Sequence, residues 1–149
     1  MLKAVSLALL VLGVVACSRP EGPEAQVRRV IGAMQTAAQA RDTNDLLAFV
    51  SDRYKDPYDR GREELSRLLR GYFLAYRSVH LLTRVDSLEF PFEDEARATI
   101  LVGMAGAGSG PSSWDVAADL YEIRVTFALE GRDWKVTHAQ WQRLAGVRP

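Results

Sequence analysis

His138 is the side chain best suited to acid–base chemistry. An imidazole titrates near neutral pH and can both take and give a proton. Strict alternation along Trp134-Lys135-Val136-Thr137-His138 puts His138 on one strand face with Trp134 and Val136. A carboxylate would have to orient the ring. Asp52, Asp56 and Asp119 are the candidates, and Asp56 is the one paired with His138 in this reading. The plainer reading is a core or interface histidine with a satisfied hydrogen bond. Tyr54, Asp56, Tyr58 and Asp59 alternate aromatic and acidic groups in one polar segment. Such a segment can hold a polar ligand, or it can make a turn and cap the next helix.

Other chemistries find little here. His80 and His138 are far apart, no HExxH spacing occurs, and Cys17 is the single cysteine, so no metal site is expected. No G-x-S-x-G elbow is present. Gly106-Ala107-Gly108-Ser109-Gly110-Pro111-Ser112-Ser113 is glycine-rich, but no Lys-Ser/Thr pair follows and Pro111 intervenes. It reads as an inter-strand loop, and no cofactor is expected. Trp114 follows on that loop, placed to cover a pocket mouth or a partner surface.

The elements that must position these residues show in the hydrophobic period. Pro23 suits a first helical position, and Val27, Val30, Ile31, Met34 and Ala38 follow at helical spacing, predicting a helix over 23–40. Thr43 can cap a short second helix bearing Leu46, Leu47, Phe49 and Val50. Residues 51–61 read as a polar loop. A third helix starts near Arg62, with Leu65, Leu68, Leu69, Tyr72, Phe73 and Tyr76 as its apolar stripe. From residue 78 the period shortens toward 2. Strands are expected over 80–90, 96–104, 121–129 and 134–141, with turns at Glu93-Asp94-Glu95 and Glu130-Gly131-Arg132-Asp133. Three N-terminal helices on a four-stranded antiparallel sheet make an α+β layout.

The chain has 149 residues, 48% of them hydrophobic and 26% charged, so it is rich enough in apolar residues to build a core. Its 19 basic residues balance 19 acidic ones, which argues against nucleic acid as a partner. Without a second cysteine there is no internal disulfide, and stability must come from packing.

The N-terminus resembles a bacterial lipoprotein signal. Lys3 precedes an apolar run, Ala4 to Val15, of about 12 residues, too short to span a bilayer. Val14-Val15-Ala16 then leads directly into Cys17. The resemblance implies a signal peptide over 1–16, lipid such as palmitate on Cys17, and a tether over 17–22. Ser18 after the cysteine resembles an outer-membrane address. The implied location is the bacterial cell envelope, anchored and facing the periplasm.

The domain over 23–145 resembles the nuclear transport factor two-like superfamily, which includes polyketide cyclases and ketosteroid isomerases. The resemblance lies in the order helix, short helix, polar loop, long helix and meander. The closing Gly131-Arg132-Asp133-Trp134-Lys135-Val136-Thr137-His138-Ala139-Gln140-Trp141 is similar to that of many members. It implies a cone with a pocket, for which Tyr54, Tyr58, Tyr76, Trp114, Tyr121 and Trp134 are the ligand-binding candidates. The expected function is non-catalytic binding of a small apolar or amphipathic molecule, or of a protein partner. The alternatives are a lyase or isomerase using His138 with an acidic partner, and a structural module that dimerises through the outer sheet face.

Overall fold

The computed structural model describes residues 21–108 and 116–147. Cys17 and the signal segment lie outside the described residues, as does Trp114. Three helices form near the predicted positions: α1 (Pro23–Gln39), α2 (Thr43–Ala48) and α3 (Arg62–Ala75). However, α2 ends at Ala48, so that Phe49 caps its C-terminus and Val50, expected on the helix, begins a strand. Asp42, not Thr43, caps α2, its carboxylate accepting from the Asp45 N–H at 2.9 Å. At α3 the Glu64 carboxylate reaches back to the Gly61 N–H at 3.0 Å. Leu68, placed on the apolar stripe by its spacing, is exposed. Tyr76 leaves the helix altogether and is the first residue of a strand.

Five strands form one unclosed, curved sheet, not the four expected: β1 (Val50–Lys55), β2 (Tyr76–Phe92), β3 (Glu95–Gly108), β4 (Val116–Glu130) and β5 (Asp133–Val147). Their order is β1-β5-β4-β3-β2. The additional strand, β1, lies in the segment predicted as a polar loop. It pairs parallel to β5, with Val50 opposite Val136 and Lys55 opposite His138. Its Asp52, Arg53 and Lys55 face solvent, so its sequence is polar. Only Val50, Ser51 and Tyr54 turn inward. Its pairing partner is some 80 residues away, and no local period can reveal such a ladder.

The other ladders are antiparallel, and β5 carries two irregularities. Phe127 pairs with Val136, but Thr126 pairs with His138, so Thr137 is an extra residue on β5. A one-residue insertion carries everything beyond it to the opposite face. The expectation that His138 shares a face with Trp134 and Val136 is therefore corrected. His138 lies beside Thr126 on the outer face, while Ala139 takes the inner position opposite Val125.

The inner face holds the core. Ala96, Ala98, Ile100, Val102, Val125, Phe127, Trp134 and Val136 are buried with Val27, Ile31, Leu46, Leu47 and Phe73 of the helices. α1 lies across this face. Near its start Gln26 accepts from Trp134 Nε1 at 3.0 Å, and further along Gln35 donates to the Leu81 carbonyl at 3.0 Å. At its end Arg41 donates to the Phe73 and Tyr76 carbonyls. The sheet curls so that Phe90 of β2 meets Trp134 of β5 edge-on, centroids 5.9 Å apart. That end is closed: Ala96, Phe127 and Trp134 are fully buried. At the other end of the same face Met104, Asp119, Tyr121 and Arg143 are only half-buried or exposed, so the cone opens there.

Candidate functional site

The open end gathers a cluster that local sequence patterns do not assemble. On the inner face Val102, Tyr121 and Arg143 lie in one cross-strand row, and Met104 and Asp119 in the next. Arg143 Nη2 meets Asp119 Oδ1 at 2.5 Å, and the Tyr121 hydroxyl donates to Asp119 Oδ2 at 3.3 Å. Tyr72 closes the cluster from α3 and donates its hydroxyl to Met104 Sδ. The Tyr72 and Tyr76 rings stack with centroids 4.6 Å apart. Gly106 of β3 permits this stack, because a Cβ there would meet Tyr76 Cδ1 at 3.0 Å and the Ser78 carbonyl at 3.1 Å.

Electrostatics make this a neutral, hydrogen-bonding surface. Burial pushes the Tyr72 phenol up to about 12, and the neighbouring Tyr76, Tyr121 and Asp119 add to that shift. Burial and then Asp119 raise Tyr121, with Arg143 opposing. A proton on either hydroxyl is thus held well beyond neutral pH. The cluster offers phenol oxygens that can still accept, a polarisable thioether and one ion pair beside the buried Val102. That combination suits a small amphipathic molecule with an aromatic or aliphatic body and a few oxygen atoms.

The predicted residues divide between this site and other places. Tyr76 and Tyr121 belong to the cluster. Trp134 is a core residue at the closed end, its indole N–H given to Gln26. Tyr58 is 78% exposed, with the Arg60 guanidinium 4.8 Å over its ring. With Pro57 and Trp141 it edges a separate surface cleft of about 260 Å³ beside Glu122, Arg124 and Gln140. Tyr54 is 1% exposed, and its hydroxyl has no hydrogen-bond partner among the described residues. Burial, then Asp56, raises its phenol to about 12 against the pull of Arg60.

Asp56 and His138 do not form a dyad in this geometry. The buried Asp56 carboxylate accepts from Arg60 Nε at 2.5 Å and from the Tyr58 and Arg60 N–H groups at 2.8 and 2.9 Å. Burial works against its charge, but these bonds and the Arg60 guanidinium hold its pKa below the ordinary carboxylate value. His138 Nδ1 donates to the Lys55 carbonyl at 2.7 Å, tying β5 to the end of β1. Its ring borders an outer-face recess of about 280 Å³ with Arg97, Arg124, Thr99 and Thr126. Among the described residues no group of three His, Cys, Asp or Glu could hold a metal ion. No described helix is long and apolar enough to cross a membrane.

Sequence reasoning missed Tyr72, Met104 and Arg143 as site residues and weighed Asp119 only as a partner for His138. Tyr72 looked like one more apolar position on α3. Arg143 lay beyond the expected end of the last strand. The available signal was the pair Asp119 and Tyr121, two residues apart on one strand face.

No family model matches the chain, and no curated protein sequence does. Solved structures do match. A scytalone dehydratase-like protein from Novosphingobium aromaticivorans superposes with a TM-score of 0.76 at 13% identity, covering 83% of this chain and 85% of its own. A hexachlorocyclohexane dehydrochlorinase gives 0.73 at 12% identity, covering 85% and 88%. A ketosteroid isomerase-like protein from Erwinia carotovora atroseptica gives 0.67 at 14% identity, covering 81% and 95%. Identities this low speak to fold alone. With the helix order and the curved five-stranded sheet, they establish that this chain has the nuclear transport factor two-like fold.

Proposed function

We propose that the protein is a lipid-anchored envelope protein. Its domain holds a small amphipathic molecule at the open end of the cone without transforming it. The observation that carries the binding role is the Tyr72, Tyr76, Met104, Tyr121, Asp119 and Arg143 cluster, polar groups and aromatic rings gathered at the open end beside the buried Val102. The non-catalytic part rests on how the acid–base groups are used. Asp56 and Asp119 are each bound to an arginine, and His138 lies on the opposite sheet face. The fold's neighbours include a dehydrochlorinase and a ketosteroid isomerase-like protein, so the test must also look for turnover.

Native mass spectrometry of the detergent-extracted protein tests this reading. A co-purified small molecule that is recovered unchanged and lost in Arg143→Ala is the expected result. Recovery of a chemically altered compound after incubation with the extracted ligand would overturn the non-catalytic reading. An empty protein that binds none of the extractable envelope lipids would overturn the binding reading. The anchor is tested separately by fractionation: Cys17→Ser is expected to leave the protein uncut or released as a soluble precursor, and a variant that stays membrane-bound and matures normally would overturn the anchor.

The outer face favours a second reading, a homodimer. Leu82 is 80% exposed there, and Leu82 and Leu120 flank Gly103 across three strands. Sedimentation of the protein in detergent would report one protomer or two.

A further inference from the structure

We infer that the closed end of the cone docks on the phospholipid surface, with Phe92 entering the bilayer interface and lipid phosphates seated against Arg29, Arg132 and Lys135. The inference rests on the lipid anchor proposed at Cys17. Four peptide steps separate Cys17 from Glu21, at most about 14 Å of extended chain. Glu21 sits at the start of α1, so whatever lies at that end of the domain is held against the bilayer. Two features are found there.

The first is aromatic. Phe92, at the β2–β3 turn, is 63% exposed. Phe90 beside it packs edge-on against Trp134, Trp134 donates to Gln26, and Gln26 donates to the Glu21 carbonyl at 2.7 Å. An unbroken line of contacts therefore joins the aromatic turn to the point where the tether leaves. A phenylalanine exposed to water gains by entering the interface. Glu93 and Asp94 follow it in the turn and limit the depth to a shallow contact.

The second is charge. A recess of about 200 Å³ at the same end is lined by Gln26, Trp134, Arg29, Arg132, Lys135 and Asp133, among others. Three basic side chains stand against two acids, Asp133 and the Glu21 partner of Arg29, and Lys135 also donates to the Ala48 carbonyl; the remaining positive excess suits the phosphate of a lipid headgroup. Arg29 shares its charge with Glu21 at 2.9 Å, next to the tether.

The orientation has a functional consequence. α1 is 17 residues long, about 25 Å, and Arg41, two residues past its far end, donates to the Phe73 and Tyr76 carbonyls beside the ligand cluster. With the closed end on the membrane, the open end faces away from the bilayer. The ligand then enters from the aqueous side.

The test uses the mature protein purified from membranes and reconstituted in phosphatidylethanolamine/phosphatidylglycerol vesicles. Phe92→Cys, and separately Leu74→Cys at the opposite end, are labelled with an environment-sensitive nitrobenzoxadiazole dye. Leu74 is 81% exposed, so both substitutions spare the core. We expect the label at position 92 to shift to the blue and to be quenched by iodide several-fold less than the label at 74. Arg132→Glu combined with Lys135→Glu should return the label at 92 to water. Lipidated protein whose two labels are equally open to iodide overturns the docking inference and leaves the anchor intact. The mass of the N-terminal peptide is read first. A bare Cys17 there overturns the anchor, and the docking inference with it.

Discussion

At the scale of single residues, the most instructive group is the Tyr54 hydroxyl. It is fully buried and donates to nothing among the described residues, while its ring fills the core. A buried unsatisfied donor costs about 1–3 kcal/mol. Tyr54→Phe should therefore raise stability by about 1 kcal/mol, read as a higher urea midpoint at unchanged slope. Tyr54 and Tyr72 also set an alkaline limit. Their folded-state values are raised to about 12, against about 10 in the unfolded chain. The folded state then keeps protons that the unfolded state releases, so stability is full below pH 10 and falls as pH rises from 10 to 12. Urea titrations across that range should show the fall, and Tyr54→Phe should flatten it. Asp56 has the opposite sign. Its depressed pKa contributes stability above the unfolded value of about 4, and the contribution is lost as pH falls below it. Asp56→Asn should cost about 3 kcal/mol at neutral pH by leaving Arg60 without its charge partner. It should also weaken the acid dependence, which titrations at pH 3 and pH 7 would separate.

At the scale of elements, strand register decides which side chains meet. The alternation Tyr121, Ile123, Val125, Phe127 is unbroken on β4, and these residues face inward as their spacing predicts. Phe127 is completely buried, so Phe127→Ala should cost about 3–5 kcal/mol. Thr126→Ala, on the outer face, should cost no more than about 0.5 kcal/mol. Equal losses in urea would contradict this register. On β5 the same logic fails at Thr137, where the bulge carries His138 outward. Gly106 is the corresponding constraint on β3. Gly106→Ala would push a methyl into the Tyr76 ring and the Ser78 carbonyl, so it should destabilise by about 1–3 kcal/mol. It should also lower ligand retention by displacing Tyr76 from Tyr72. Retention after repurification reports the second effect independently of the first.

At the scale of the whole molecule, the cone has a closed end and an open end, and the proposed anchoring and binding roles fall at different ends. The first described residues, the aromatic β2–β3 turn and the basic recess lie at the closed end. The phenol cluster and the Asp119–Arg143 pair lie at the open end. Cys17→Ser should leave an uncut or released precursor and leave ligand retention by the domain unchanged, because the two ends share no side chains. Loss of both together in a fractionation and mass-spectrometry experiment would contradict this separation.

Sequence alone determined what depends on near neighbours. The 3.6-residue stripe of Val27 and Ile31 made α1, the two-residue alternation on β4 made its strand, and Gly131, at φ +67°, marked the β4–β5 turn. Tertiary structure decided what depends on distant partners. β1 is a strand only because β5 offers it a ladder across some 80 residues. His138 faces outward only because one extra residue interrupts β5. Arg143, Asp119, Tyr121, Met104 and Tyr72 come from three strands and a helix, and no spacing along the chain encodes their meeting. Local period reports which face a residue takes within its own element. The curvature of the sheet and the position of its bulges then decide which faces converge.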